Sequence, residues 1–449
     1  MRIVLLVVIL FGSIPFCIAS PYYGILLWFW TAYFNPHRYT WGAFYYLPVA
    51  QIVAIPTLIG LVFARKMRNL FAARETGIFL LVWGWFALTY FVATQEPRFV
   101  GHMELGKMEF IRVSKNILMV FVMILVVTSV KKLRYLLLLT ASCFGMLAMK
   151  GAIFGARTSG EERIWGPPDS FLADNNGFGL ALNMAMPMLF FLAREEKNAK
   201  VRKILYLMFI ACAVCVILTY SRGGLLGLGA VLALICIKAR RKLMGFVLLI
   251  FAAMLIVAFA PEQWTSRMDN FMQGKLDDSA QQRIIAWGTA WRLVQDYPIT
   301  GAGFDALPDE NLFASYQTAP LPGGHKSTAP HSIYFQLMAD QGFVGLFLFL
   351  GLIASCIGSL RKIRKQSVYI RAPSWVENYA HMIEVSLVGY LVSGAFLGLV
   401  YFDLIYQIIG LTICMKLLFH QEVLLPALSQ SSESSMEVIS EPQPQQVLT

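Results

Sequence analysis

The chain has 449 residues, of which 57% are hydrophobic and only 14% charged, and its mean hydropathy is +0.62. A soluble fold of this length cannot hide that much apolar surface, so an all-α polytopic membrane protein is expected; closed barrels, which read as short alternating segments, are excluded. The net charge of +11 would point to nucleic acid only if it clustered on a soluble face, and it is instead spread over short stretches between apolar runs.

The first run, Ile3 to Ala19, has the length of a signal peptide, but further spans follow and it reads as part of the membrane domain. Ser20-Pro21 separates it from a second piece, 22–34, which reaches only about 20 Å at 1.5 Å per residue, short of a hydrocarbon core of about 30 Å. Eleven more runs follow, at about 43–64, 77–94, 116–130, 134–154, 176–193, 204–220, 223–237, 242–260, 332–359, 384–402 and 404–420. With one piece of 3–34 short, broken or re-entrant, the expectation is about 12 transmembrane helices; thirteen with the N-terminus outside is the alternative.

The stretches "RKMRNLFAARE", "KKLR", "REEKNAKVRK", "KARRK" and "RKIRKQSVYIR" hold more than half of the 37 Lys and Arg, which labels those loops cytoplasmic. The labels then alternate, although 95–115, placed outside, carries four basic residues. The expected organisation is a first part of the bundle over 1–260, a long outer loop region over 261–330, the last part of the bundle over 331–420, and a disordered inner tail over 421–449. In the outer loop, "SAQQRIIAWGTAWRLVQDYPITG" predicts a helix capped by Ser279 with Gln282 and ended by Pro298 and Gly301. Ile284, Trp287, Trp291 and Val294 form an apolar stripe on it, so it should lie at the membrane surface or under the bundle. All seven cysteines fall in apolar runs, and no structural disulfide is expected. Cys212 and Cys215 read as small core residues on a helix.

The unusual polar residues collect on one side. Arg222 stands at the outer end of the 204–220 run, and Arg283 lies on the amphipathic helix. His331 opens the 332–359 run, Lys150 closes 134–154, and Arg38 and Asp403 also map outside. Snorkelling explains any one of them, and turn or N-cap chemistry explains Asp169, Asn175 or Asn176. Together they point to a polar cavity at the outer boundary. Gly223 and Gly224 beside Arg222 allow close backbone approach, which suits an anion held by a guanidinium. A lysine within the bilayer is a functional candidate by default. No metal-ligand spacing occurs on this side, so a metal-free phosphate or diphosphate site is expected. A transporter would put its ionisable groups near the bilayer midplane, which lowers that reading.

The stretches "WGPPDSFLADNNGFGLALNMAMPM", "TYSRGGLLG", "PEQWTSRM", "SAQQRIIAWGTAWRLVQDYPITGAGF" and "PHSIYFQLMADQGFVGLFLFL" follow one another along the chain. In that order they resemble the O-antigen ligases and related polysaccharide polymerases. The likeness is closest to the exosortase-associated O-glycosylation ligase branch, which "NPHRYTWGAFYYLPVAQIVAI" supports, and it covers about residues 1–420. The resemblance implies a fold like that of the C-type membrane glycosyltransferases, with one long periplasmic loop. It implies glycan transfer from an undecaprenyl diphosphate carrier at the periplasmic face of a bacterial inner membrane. The acceptor would be lipid A–core, another glycan, a protein or another lipid. The resemblance makes His331 the base and gives Arg222 and Arg283 the diphosphate. Lys150 joins the arginines as a diphosphate ligand, and Arg38, Asp169, Asn175, Asn176 and Tyr334 are candidate substrate contacts. Where the branch often has an acidic residue before a His-Gly pair, this chain has Asp340-Gln341-Gly342, so no proton-relay role is expected there. The chemistry follows: histidine titrates near neutrality and can take the acceptor's proton, the diphosphate leaves without a general acid, and cations stabilise the developing charge. Attack from the opposite face implies inversion. No cofactor, metal or nucleic acid is expected. A polymerase of the same superfamily, and a lipid-linked glycan transporter, are the alternatives.

Overall fold

A computed structural model describes residues 1–238 and 278–429. The expected span 242–260, the stretch "PEQWTSRM" and the tail from 430 lie outside the described residues. Every regular element among the described residues is helical. Seven of these helices, two of them as joined segments, are long and apolar enough to cross a membrane: Arg2–Ala19, Arg74–Thr94, Val130–Arg157, Asn175–Glu195, Ala199–Leu218, Ile333–Tyr369 and Asp403–Ser429.

The N-terminal part follows the sequence closely. Helices α1 (Arg2–Gly12) and α2 (Ile14–Ala19) run on from one another, bent where Pro15 opens α2. Helix α3 (Pro21–Phe34) is the short piece; it packs on α4 (Val49–Val62) and on α7 (Val130–Arg157). Gly24 lies against Thr57, so any side chain there would push α3 off α4. Helix α5 (Arg74–Thr94) leads to α6 (Met103–Val126), which starts well before the apolar run at 116. The first half of α6 holds Glu104, Lys107, Glu109, Arg112 and Lys115, and this accounts for three of the four basic residues in a segment placed outside. Arg112 and Glu109 pair with each other one turn apart, so the helix continues through charges that hydropathy reads as loop.

The centre of the bundle is α8 (Asn175–Glu195), most of whose residues are buried, against α9 (Ala199–Leu218), α10 (Arg222–Lys238) and a later helix, α14 (Ser374–Gly394). Such all-round burial fits its apolar circumference. Asn183 on α8 donates to the Gly224 carbonyl at 2.8 Å and to Ser393 Oγ at 3.1 Å, tying three helices where Gly227 lets them approach.

Helix α11 (Asp278–Asp296) carries the amphipathic sequence. Its inner face differs from the expected stripe. Ile285, Ala286, Thr289, Ala290, Leu293 and Val294 are buried, whereas Ile284 and Trp291 are 50% and 48% exposed. In a helix with apolar residues on two faces, the stripe alone does not say which face meets protein and which meets lipid. Helix is already formed at Asp278, so Ser279 lies inside it and is not its N-cap. The buried face joins Ala93, Phe99, Leu307, Leu312 and Phe313 in a second core beside the main one. Leu312 and Phe313 come from the short helix α12 (Glu310–Tyr316).

Helix α13 (Ile333–Tyr369) is broken at Gly342, with φ 67° and ψ −176°, a conformation open only to glycine. A strap of turns, residues 298–303, enters the break. Ala302 N–H donates to the Ala339 carbonyl at 2.8 Å, Gly303 N–H to Asp340 at 2.9 Å, and Phe343 N–H to Pro298 at 2.9 Å. The last helix, α15 (Asp403–Phe419), does not stop at 420: a π turn, His420–Leu424, leads into helix that continues to Ser429. Val423 and Leu424 pack against the main core there, which extends order into the first part of the expected tail.

Candidate functional site

The N-terminal ends of α8, α10, α11 and α13 and the turn between α14 and α15 meet around His331. The "SRGG" turn is built first. Ser221 caps α10, its Oγ accepting from Gly224 N–H at 3.1 Å, which leaves Arg222 in the first turn. Asn175 Nδ2 donates to the Thr219 carbonyl at 2.7 Å, and the Tyr220 hydroxyl donates to the Gly160 carbonyl. The glycine beside Arg222, Gly223, lies against Phe396.

His331 sits between α11 and the α14–α15 turn with φ +47°, in the left-handed region. Its position is held from both sides. Trp287 Nε1 donates to the buried Pro330 carbonyl at 2.7 Å, and the Trp287 ring stacks on Phe335 with centroids 5.1 Å apart. The Trp287 ring also meets Phe396 at 6.3 Å, so Phe396 bridges the Arg222 turn and the helix of Arg283. Gly398 lies against the His331 backbone, where a side chain would crowd it. Burial pulls the His331 ring below the ordinary histidine value; the charge of Arg283 adds to this and Asp174 opposes it. The imidazole is therefore neutral, with a lone pair available, at neutral pH. Arg283 is one turn before Trp287 on α11, and Asp174 caps α8 by accepting from Gly177 N–H at 2.8 Å.

The other sequence candidates divide. Asn176 Nδ2 lies 3.2 Å from Asp174 Oδ1, and Asn175 is spent on the "SRGG" turn, so the asparagines shape the site's backbone. The Tyr334 hydroxyl donates to the Leu391 carbonyl at 2.9 Å, which ties α13 to α14 and takes its proton away from the His331 side. Arg38 and Asp169 meet through Tyr45, which lies 4.7 Å under the Arg38 guanidinium and donates its hydroxyl to the Asp169 carboxylate. Lys150 covers the Tyr39 ring at 4.6 Å and lines a cavity of 460 Å³ with Arg163, Trp165 and Phe178. A second cavity of 490 Å³, between α1, α3 and α7, shares Tyr39, Leu147 and Lys150 with the first and has a mainly apolar lining, including Leu6 and Trp30. Asp169, Asp174 and Asp403 have separate partners: Tyr45, Gly177, and Arg112 with Asn116. Among the described residues no group of three or more His, Cys, Asp or Glu side chains is placed to hold a metal.

Three features escaped the sequence. Asp174 carried only a cap signature. The turn over 395–402 reads in sequence as the end of the run 384–402, although Gly394 and Gly398 hint at close packing. Beneath the site, Asp340 accepts from Tyr401 at 3.0 Å and from Ala306 N–H at 3.3 Å, and Gln341 Nε2 donates to the same Tyr401 oxygen at 3.0 Å. Beside them, burial and the charge of Glu109 push the Asp305 carboxyl up to about 6. Nothing in "ADQG" alone announces this network.

Residues 207–350 match the family model described as O-antigen ligase. That match supports membership of the O-antigen ligase superfamily. The match takes in α10 with Arg222, α11 with Arg283 and the His331 end of α13, so the segments that meet at this site are those the ligase model covers. Residues 1–197 match a second model, a family of unknown function. No curated protein matches the chain. The ligase match and the apolar helices together support a multi-pass membrane protein and suggest an enzyme of membrane glycosyltransferase type.

Proposed function

We propose that this superfamily member transfers a glycan en bloc from undecaprenyl diphosphate to lipid A–core or a related acceptor, at the periplasmic face of a bacterial inner membrane. His331 takes the acceptor hydroxyl's proton as that oxygen attacks the anomeric carbon. Arg222 and Arg283 hold the departing diphosphate, and the product is inverted. Lys150 and its cavity receive the carrier near the outer boundary, with Arg38 and Asp169 beside the sugar. The branch nearest the exosortase-associated ligases is the one assigned.

The observation that carries this reading is a neutral, half-buried imidazole with a guanidinium and a carboxylate as its electrostatic neighbours. A base must be unprotonated at working pH, and a cation beside it supplies charge where the leaving group develops it. The arginines provide that charge in fork geometry, so the reading needs no divalent ion. The test is transfer by purified protein with a defined lipid-linked donor, each candidate acceptor and excess EDTA. Wild type should turn over, and His331→Ala should lose transfer while still binding donor. Near-normal turnover by the variant would remove His331 as the base. Glycan that lengthens without any added acceptor would show a polymerase.

A further inference from the structure

The opposite end of the bundle carries a cation that none of this chemistry uses. Arg68 lies in the connection 63–73 between α4 and α5, whose other charged side chains, Arg65 and Lys66, are exposed. Arg68 is turned inward and only 8% exposed. Its Nε and Nη1 are buried and have no hydrogen-bond partner among the described residues. An arginine in that position costs several kcal/mol of desolvation unless something pairs with it, so a buried guanidinium with two idle donors is an invitation to an anion.

A second cation faces the same place. The backbone N–H of Arg68 donates to the Leu125 carbonyl at 3.1 Å, and Lys132 Nζ donates to the next carbonyl, Val126, at 3.0 Å and lies 3.2 Å from Thr128 Oγ1. Adjacent carbonyls at the end of α6 thus fix both residues, and each cation is the other's electrostatic neighbour. Those two acceptors occupy two of the three ammonium donors and leave one. Tyr22 braces the pair: its hydroxyl donates to the Lys132 carbonyl at 2.7 Å, and its ring lies 5.2 Å under the ammonium. The nearest carboxylate acting on Arg68, Glu422, is exposed and forms no hydrogen bond with it. Burial therefore pulls the Arg68 guanidinium below its ordinary value. Beside Arg68 in the chain, Val62, Phe63, Met67 and Phe71 are all more than half exposed. That is a surface for acyl chains at a bilayer boundary, not for water.

We infer that Arg68 and Lys132 form a binding site for the phosphate of a membrane phospholipid, on the leaflet opposite the one His331 faces. One idle guanidinium donor and the remaining ammonium proton can each take a phosphate oxygen, while the acyl chains lie over Phe63 and Phe71. The site rests on geometry at the far end of the bundle and holds whether or not the proposed transfer is correct.

The test uses the full-length protein in detergent, delipidated and then titrated, with thermal unfolding and native mass spectrometry as readouts. Four probes are compared: phosphatidylglycerol, phosphatidylethanolamine, a diacylglycerol with the same acyl chains, and inorganic phosphate. Both phospholipids should be retained and should raise the unfolding temperature; the diacylglycerol, which lacks the phosphate, should bind at least about tenfold more weakly. Equal binding of the diacylglycerol overturns the site, and full protection by inorganic phosphate alone overturns its assignment to lipid. These comparisons are made on wild type and need no variant. Arg68→Gln should then bind phospholipid about tenfold more weakly, with Arg68→Lys between the two. Retention by Arg68→Gln equal to wild type would refute the assignment.

Discussion

Replacing Trp287 with Phe separates the positioning of His331 from the packing around it. A phenylalanine ring can keep the stack on Phe335, now 5.1 Å, and the contact with Phe396, but it cannot donate to the Pro330 carbonyl. That carbonyl is on a buried residue, so losing its 2.7 Å partner costs about 1–3 kcal/mol. His331 meanwhile holds a left-handed backbone at φ +47°, itself disfavoured by about 1–2 kcal/mol. The restraint and the strain it opposes are of similar size. Without the restraint the histidine can relax toward an ordinary backbone, and the productive arrangement falls about 5- to 30-fold for a loss of 1–2 kcal/mol. The expected result for Trp287→Phe is therefore a kcat lower by that factor, an unchanged donor KM, and a slightly lower unfolding temperature. Steady-state transfer against donor concentration, beside a melting curve, measures all three. A kcat within twofold of wild type would refute the claim that this hydrogen bond sets the histidine. A loss confined to KM would refute it as well.

Arg222→Lys and Arg283→Lys should each leave transfer severely impaired, because an ammonium cannot grip a diphosphate with two parallel donors; Lys variants equal to wild type in turnover and donor binding would refute the bidentate grip. Arg283→Gln should move the titration of His331 upward, since the arginine's positive charge disfavours the protonated ring and its removal lets the ring hold its proton to higher pH. Site-resolved diethyl pyrocarbonate labelling against pH reads this without any substrate: reactivity should be lost at a higher pH in the variant as pH falls, and an unmoved profile would show that Arg283 does not act on the ring. Gly342→Ala should fail to accumulate as folded protein, because φ 67° with ψ −176° excludes a side chain and the added Cβ would overlap the Ile299 carbonyl; normal yield and melting temperature would contradict the strap geometry.

The membrane helices were legible where their charge was low. Hydropathy alone marked α5, α7, α8 and α9 to within a few residues, because lipid demands apolar length and little else. It failed on α6, where Glu109 and Arg112 pair and Asp403 lies 3.6 Å from the arginine, so charges that read as loop are half-buried in helix. It failed also on the face of α11. In water, Ile284 and Trp291 would have to be inside; at a membrane they can be exposed, and the small residues Ala286 and Ala290 pack instead. The site residues were legible through their company. Arg222 stood beside glycines, Arg283 near tryptophans and His331 after a proline, each a local oddity. Asp174 and the turn holding Phe396 and Gly398 were not, because their role lies in what they approach across the fold and short turns carry no periodicity.

The broken helix explains why Arg283 and His331 can be treated as one rigid unit. Helix α11 carries Arg283 and Trp287, and the strap over 298–303 follows it directly. The strap inserts into α13 at Gly342, taking the carbonyls of Ala339 and Asp340 that the helix leaves unpaired at its break. Trp287 grips Pro330, just before the same helical piece begins. The segment 331–341 is therefore fastened to α11 at both ends, once by a side chain and once by backbone. Asp340 anchors the far fastening further: its carboxylate accepts from Ala306 in the chain after the strap and from Tyr401 beside the α14–α15 turn. The proposed base and its cationic neighbour, held within one such clamp, need little rearrangement at the moment of reaction, which is the condition under which fixed charges contribute most to a transition state. The acidic residue of "ADQG" thus has a mechanical role in this chain, and the glycine after it is what lets the clamp close.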